Sequence, residues 1–480
     1  MTILSKNLYL RHISTLFVLL AVCFFNNQAL AADYSCMAKK SWVTSPDAPA
    51  EVPEGKKADF CQFYQFSWQW FLQHVSVSLT DASIRQFEDT SNFPILEKAA
   101  SASDPTPNSC DDSVTEKVIY SSTFKFDEAV DIPERTGQAG TSGLGIYDQT
   151  GDVVFYDVRF SRNLCDAGTI QASAEFPSGT TEIKTAWKQL TSSDDPSKYF
   201  IMEANIDGVE GTETLGLIGF HQAIATTIHT EMIWASFEHV DNSPDCTNPA
   251  ASDWSFASDA CTSAPTSCTW NKAVIVKGTT GETPTEICIM HPYGTDASDP
   301  NHHKNITAIS DLNTQIKGFL AGLHPSDPMS VFQNYFTIGA LWVKNPSIGT
   351  DNSDGTPNIN NQRGSLRLSN TVMETTFQDG SSTGTDHQYT SNCFGCHEYT
   401  QDQYYRNTGP HNAFDLSHIF IDDILAGQCP TTQDVEAGPI WSDKDAQAKC
   451  AATCSSHGGW KGAWTTTQPS VMSVCGCCSQ

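Results

Sequence analysis

The residues with the most specific chemistry are Cys393, Phe394, Gly395, Cys396 and His397, a C-x-x-C-H run. Two thiols at that spacing can form thioethers with the two vinyl groups of a haem. The adjacent imidazole can then ligate the iron from the proximal side. The expectation is one covalent haem c on Cys393, Cys396 and His397. The rival is a disulfide or a thioredoxin-like redox pair, which needs a strand before the motif and a helix starting at it. Residues 380–392 (GSSTGTDHQYTSN) do not read as a core strand.

The second axial position has several candidates. His418 sits in Asp415–Gly427 (DLSHIFIDDILAG), which reads as a helix ending at a glycine. Met373 offers a thioether, a known axial ligand type. His411 and His387 follow. An open position would favour catalysis over electron transfer, so enzymatic activity stays undecided at this stage. Only 429 − 397 = 32 positions separate His397 from Cys429, where a different module begins. So short a stretch hardly completes a cytochrome fold, and the haem segment is expected to lean on the larger upstream region.

Glu238-His239, with His221 and His229 nearby, could be read as an acid–base or metal cluster. The H-E-x-x-H spacing of a helical metal site is missing. Buried, hydrogen-bonded groups that support the fold are the preferred reading.

Near the C-terminus the cysteines fall into a pattern. Asp443–Cys454 reads as a helix, with Ser442 as its cap. Cys450 and Cys454 are four apart and share a helical face, while Cys475 and Cys477 are two apart and share a strand face. Two disulfides between those faces would staple helix to sheet, leaving Cys478 to meet Cys429. A four-cysteine zinc site is the rival, and an oxidising compartment argues against it.

That compartment is read from the N-terminus. Lys6 and Arg11 precede an apolar run, Thr15–Phe25, and Ala29-Leu30-Ala31 matches an A-x-A cleavage site. The run is too short to span a bilayer, so a periplasmic, secreted or cell-surface protein without a membrane span is expected. Removing residues 1–31 takes two positive charges, so the net charge of −28 becomes −30. Such a surplus of carboxylates repels phosphate backbones and speaks against nucleic acid as a partner.

The elements that must position these groups are mixed. Residues 63–75 (FYQFSWQWFLQHV) read as a core helix with Gln65, Gln69 and Gln73 on one polar stripe. Residues 144–160 read as a hairpin turning near Thr150-Gly151, and short strands are expected at Tyr199–Ile206 and Leu215–His221. Residues 241–270 read as a loop stapled by its three cysteines, and 345–363 as turns or a linker. The fold class is α+β: a large antiparallel-sheet-containing domain with a helical c-type haem segment, plus a small disulfide-stapled α+β module. The expected divisions are 1–31 signal peptide, 32–344 upstream domain, 345–428 haem segment packed on it, and 429–480 C-terminal module.

Two resemblances add to this. Phe66–Leu72, Trp234–Pro244, Asn334–Trp342, Leu368–Gln378 and Cys393–His397 are similar to stretches of a family of bacterial exported cytochrome c-like proteins. The similarity spans most of residues 55–428 and implies that the upstream region and the haem segment belong together. It supplies no substrate. Residues 437–478 resemble the mannan-binding lectin domain of cyanobacterial type, through Ala437–Ser442, Asp445–Gln447, Gly462–Thr466 and Met472–Val474. This resemblance implies binding of oligomannose-type glycans around Trp441, Ser442, Gly462, Trp464, Thr465 and Thr466. Indole faces such as Trp441 and Trp464 can stack on the apolar side of a sugar, and the hydroxyls can donate and accept. The alternative is that both tryptophans belong to the module's small core. Together these readings give an exported haem protein with an electron-transfer or redox role, tethered to mannose-type glycans, its redox partner unknown. The alternatives are a haem-dependent oxidoreductase acting on or near polysaccharide, and a glycan-recognition protein with structural haem.

Overall fold

The computed structural model describes residues 34–93, 144–163, 176–205, 211–275, 278, 280–345, 360–378, 392–394, 432–441, 443–454, 457, 460–468 and 471–478. Residues 1–31, expected to be a signal segment, and Cys396, His397, His387, His411, His418, Cys110, Cys165, Cys429 and Ser442 lie outside the described residues.

The large body is built on helix α1 (Phe60–Val75) and seven strands. The strands are β1 (Phe155–Phe160), β2 (Thr181–Gln189), β3 (Ile201–Asn205), β4 (Thr212–Ile224), β5 (Ile233–His239), β6 (Tyr335–Val343) and β7 (Gln362–Gly364). Helix α2 (His302–Ala321) precedes β6. The sheet runs β1-β2-β4-β5-β6-β7, with β3 pairing the start of β4, and every pairing is antiparallel. The expected strands at 199–206 and 215–221 are β3 and part of β4. The expected 144–160 hairpin does turn at Asp148–Asp152, but Leu144–Gly145 pair with Val274–Ile275 rather than with β1.

Helix α1 forms because aromatics fill most of its circumference while Gln65, Gln69 and Gln73 stay half-buried on one stripe. Its first turn is closed by Gln62 Oε1, which accepts the Asp59 N–H at 2.9 Å. Phe63 stacks on Trp342 at 4.0 Å between centroids, and Phe71 stacks on Phe237 at 4.0 Å. Each such fully buried ring contributes about 1.5–3 kcal/mol through area removed from water. Helices α1 and α2 thus cover one face of the sheet. Disulfide Cys36–Cys61 ties the N-terminal segment to α1. In the 241–270 loop, Cys261 pairs with Cys268, and Cys246 reaches out to Cys288.

The other face is covered by residues 365–378 and 392–394. Gly339 in β6 permits the close approach of Ser365, whose hydroxyl also lies 3.3 Å from that of Tyr64 on α1. The φ of Gly339 is +144°, and a Cβ there would collide with the Ser365 hydroxyl. Position 345, the expected boundary of the haem segment, falls between β6 and β7, two hydrogen-bonded strands of one sheet.

The C-terminal module has strand β8 (Thr432–Gly438), helix α3 (Asp443–Cys454), strand β9 (Trp460–Gln468) and strand β10 (Met472–Cys478). Its antiparallel sheet has the order β8-β10-β9. Cys450–Cys475 and Cys454–Cys477 are disulfides, pairing the helical face with the strand face as the spacing suggests. Among the described residues no helix is long and apolar enough to cross a membrane.

Candidate functional site

The segment leading into the C-x-x-C-H run is anchored to the large sheet. Asn392 is fully buried, and its Nδ2 donates to Gln362 Oε1 at 3.0 Å and to the Leu366 carbonyl at 2.9 Å. Phe394 is buried with Trp234, Leu341, Leu366 and Leu368, its ring edge-on to Trp234 at 6.3 Å. Cys393 is half-buried against the same cluster. A thiol at the margin of an apolar wall suits an apolar macrocycle attached there. Met373 is placed elsewhere. It packs with Ile146, Tyr156, Ile218, Phe256 and Ile287, and a Cβ on Gly219 would lie 2.9 Å from its Cε. The structure therefore puts Met373 and Cys393 in different apolar clusters of the same sheet face.

The acidic and histidine residues are paired, in separate places. Glu238 is buried and accepts the Thr371 N–H at 2.6 Å and the Thr371 hydroxyl at 2.7 Å. Burial outweighs those bonds and raises its carboxyl to about 7. His221 Nε2 meets Glu374 Oε2 at 2.8 Å, and Lys184 Nζ meets Glu374 Oε1 at 3.0 Å. Burial alone would raise Glu374, but His221 and Lys184 beside it prevail and hold it at about 2. His239 stacks on Tyr199 at 4.2 Å, and burial lowers its imidazole to about 4. His229 Nδ1 pairs with Glu231 at 2.7 Å. Among the described residues no group of three or more His, Cys, Asp or Glu could hold a metal ion. The Glu238–Thr371 bonds and the contacts of Glu374 with His221 and Lys184 fasten residues 369–378 across β5, β4 and β2. Asn370 Nδ2 adds bonds to Ser236 Oγ at 2.9 Å and to the Phe237 carbonyl at 3.1 Å. Sequence reasoning singled out His221 and Glu238 but missed Lys184 and Glu374. Glu374 lies inside the quoted Leu368–Gln378 stretch, which was the available signal.

The C-terminal module separates Trp441 from Trp464. Trp464, opposite Cys475 on β9, is half-buried against the disulfide core of Ile440, Ala446, Cys450, Cys454, Cys475 and Cys477. Trp441 is 66% exposed. Ile440, directly before it, is buried, so the chain is gripped immediately beside the indole. Lys449 on α3 donates to the Pro439 carbonyl, a second grip on the same turn. Thr465 and Thr466 are exposed along β9, and Gly462 lies on the same strand. An exposed indole held on a fixed backbone, and exposed threonine hydroxyls on β9, supply the apolar and hydrogen-bonding groups that a neutral, hydroxyl-rich ligand uses. Charge agrees: residues 432–478 hold four acidic and three basic side chains, whereas the whole chain stands at −28.

Residues 443–477 match the family model described as Mannan-binding protein. No curated protein and no solved structure matches the chain. The match supports a lectin-type module with glycan recognition, and it includes Gly462, Trp464, Thr465 and Thr466. Trp441 and Ser442 lie just before it.

Proposed function

We propose that the chain is an exported c-type haem protein that binds mannose-type glycans through its C-terminal module. The observation that carries the glycan reading is the family match at residues 443–477, together with an exposed Trp441 and the exposed hydroxyls of Thr465 and Thr466. The near-neutral module suits a neutral polysaccharide, and the acidic remainder of the chain repels anionic polymers. The haem reading is carried by the C-x-x-C-H run. Cys393 and Cys396 would hold the group and His397 would ligate it. Once bound, such a group supplies single-electron redox chemistry. The chain's own contribution is mechanical. Asn392 and Phe394 fix the start of the segment on the sheet, and the Trp234 cluster excludes water beside Cys393.

Two experiments test the two halves separately. Deleting residues 430–480 should abolish retention on immobilised mannan, and retention by the shortened protein would refute the glycan reading. The pyridine haemochrome spectrum of protein matured with its export signal should show a covalent haem c that is lost in Cys393→Ala/Cys396→Ala. Its absence from the wild type would refute the haem reading.

A further inference from the structure

The ledge that carries Trp441 is joined to Thr466 of β9 through one buried side chain. Ser473 on β10 is fully buried. Its hydroxyl oxygen accepts the Ile440 N–H at 3.3 Å and lies 3.3 Å from the Thr466 hydroxyl on the opposite strand. Ser473 also pairs in register with Gly438 on one side and Thr466 on the other. One hydroxyl thus touches the turn before Trp441 and a hydroxyl of the adjacent edge strand. Gly438 has a φ of +74° and sits at a register shift, so the ladder stops there and the backbone leaves the sheet. Beyond that point the Ile440 N–H needs a partner other than the strand, and Ser473 is it. Among the described residues, the module's other exposed large apolar side chain, Val471, stands in the β9–β10 turn at the same end of the sheet and is 58% exposed. The exposed apolar surface and the bridging hydroxyl therefore converge on one end of a three-stranded sheet.

We propose that Ser473 is a positioning residue of the glycan site, which it serves by holding the Trp441 ledge in register with Thr466. The inference rests on the reading that this module binds mannose-type glycans. A sugar that stacks on an indole and bonds to a hydroxyl gains from both only if their separation is already set. Pre-set separation raises affinity by lowering the ordering cost of binding. Ser473→Ala keeps the Trp441 and Thr466 side chains and removes the tie that sets their separation.

The test uses the full chain carrying 5-fluorotryptophan, with the Trp441 and Trp464 ¹⁹F resonances assigned from Trp441→Phe and Trp464→Phe. Soluble yeast mannan is the probe. Ser473→Ala is expected to weaken mannan binding about three- to tenfold, the loss of one hydrogen-bonded tie. The Trp441 resonance should shift and broaden while the Trp464 resonance on the disulfide core stays in place. If both resonances move together, or both collapse, Ser473 merely supports the fold and the proposal fails. If Ser473→Ala binds like wild type while Trp441→Ala does not bind, the positioning role fails and the glycan reading stands. If Trp441→Ala also binds like wild type, Trp441 is not at the site and the positioning role fails; if the folded wild type does not bind mannan, the glycan reading itself fails.

Discussion

Both carboxylate oxygens of Glu374 lie within 3 Å of His221 Nε2, at 2.9 and 2.8 Å, although 153 residues separate the two in sequence. Lys184 closes the group from the neighbouring strand, because it is the register partner of His221. The pairing fastens residues 369–378 to the face of the sheet that also carries Phe394. Glu374→Gln should destabilise the large body by about 2 kcal/mol. That is less than the 3–5 kcal/mol typical of a fully buried pair, because these side chains keep 15–17% exposure. Urea unfolding followed by tryptophan fluorescence checks this, and an unchanged midpoint would contradict it.

Glu238 predicts a pH dependence of the opposite sign to that of most carboxylates. Burial raises it from the usual 4.5 to about 7, so the folded state holds its proton more tightly than the unfolded chain does. Its stabilising effect is complete below pH 4.5 and fades as pH climbs through 7. Glu374, held at about 2, works the other way and loses its contribution as pH falls from 4.5 toward 2. Relative to Glu238→Gln, the wild type should lose on the order of 2–3 kcal/mol between pH 4.5 and 8. Melting curves of both proteins across that range decide the matter. A constant difference between them would rule out a raised Glu238.

The C-terminal module should depend on its two disulfides. Cys450–Cys475 and Cys454–Cys477 close loops with sequence separations of 25 and 23. Loops of that length contribute about 3 kcal/mol each, comparable to the stability a module this small can supply from its core. Cys450→Ser/Cys475→Ser should therefore cost most of the mannan binding and lay the module open to protease. Full binding and resistance in that variant would count against the stapled architecture.

Trp464 and Trp441 should respond differently to truncation. Trp464→Ala removes half-buried surface from the disulfide core and should lower the module's stability by about 1–3 kcal/mol. Trp441→Ala removes an indole that is 66% exposed and should leave stability within about 0.5 kcal/mol of wild type. Hydrogen exchange of the β8–β10 amides reads this directly. Equal loss of protection in both variants would overturn the assignment.

Local periodicity made several of these elements legible in advance. The four-residue spacing of Cys450 and Cys454 and the two-residue spacing of Cys475 and Cys477 identified faces that the disulfides do join. The glutamine stripe of α1 identified its half-exposed side. The order of the large sheet was not legible, because β5 pairs with β6 across a gap of about a hundred residues that holds α2. For the same reason the partners of His221 stayed hidden: Lys184 and Glu374 meet it only through sheet register and a crossing segment. Composition also could not separate Trp441 from Trp464. Trp464 is drawn inward because it faces Cys475 across the sheet, and Trp441 stays outside because the chain turns away after Gly438.

The central claim is that the exposed Trp441 face binds mannose-type glycans. Calorimetric titration of the full chain with mannan, beside Trp441→Ala, tests it most directly. The account predicts saturable binding by the wild type and a loss of at least about tenfold in Trp441→Ala, as expected for removing a stacking indole at the centre of a site. Both proteins should show the same thermal transition. Equal binding by the two, or no binding by a folded wild type, would contradict the account.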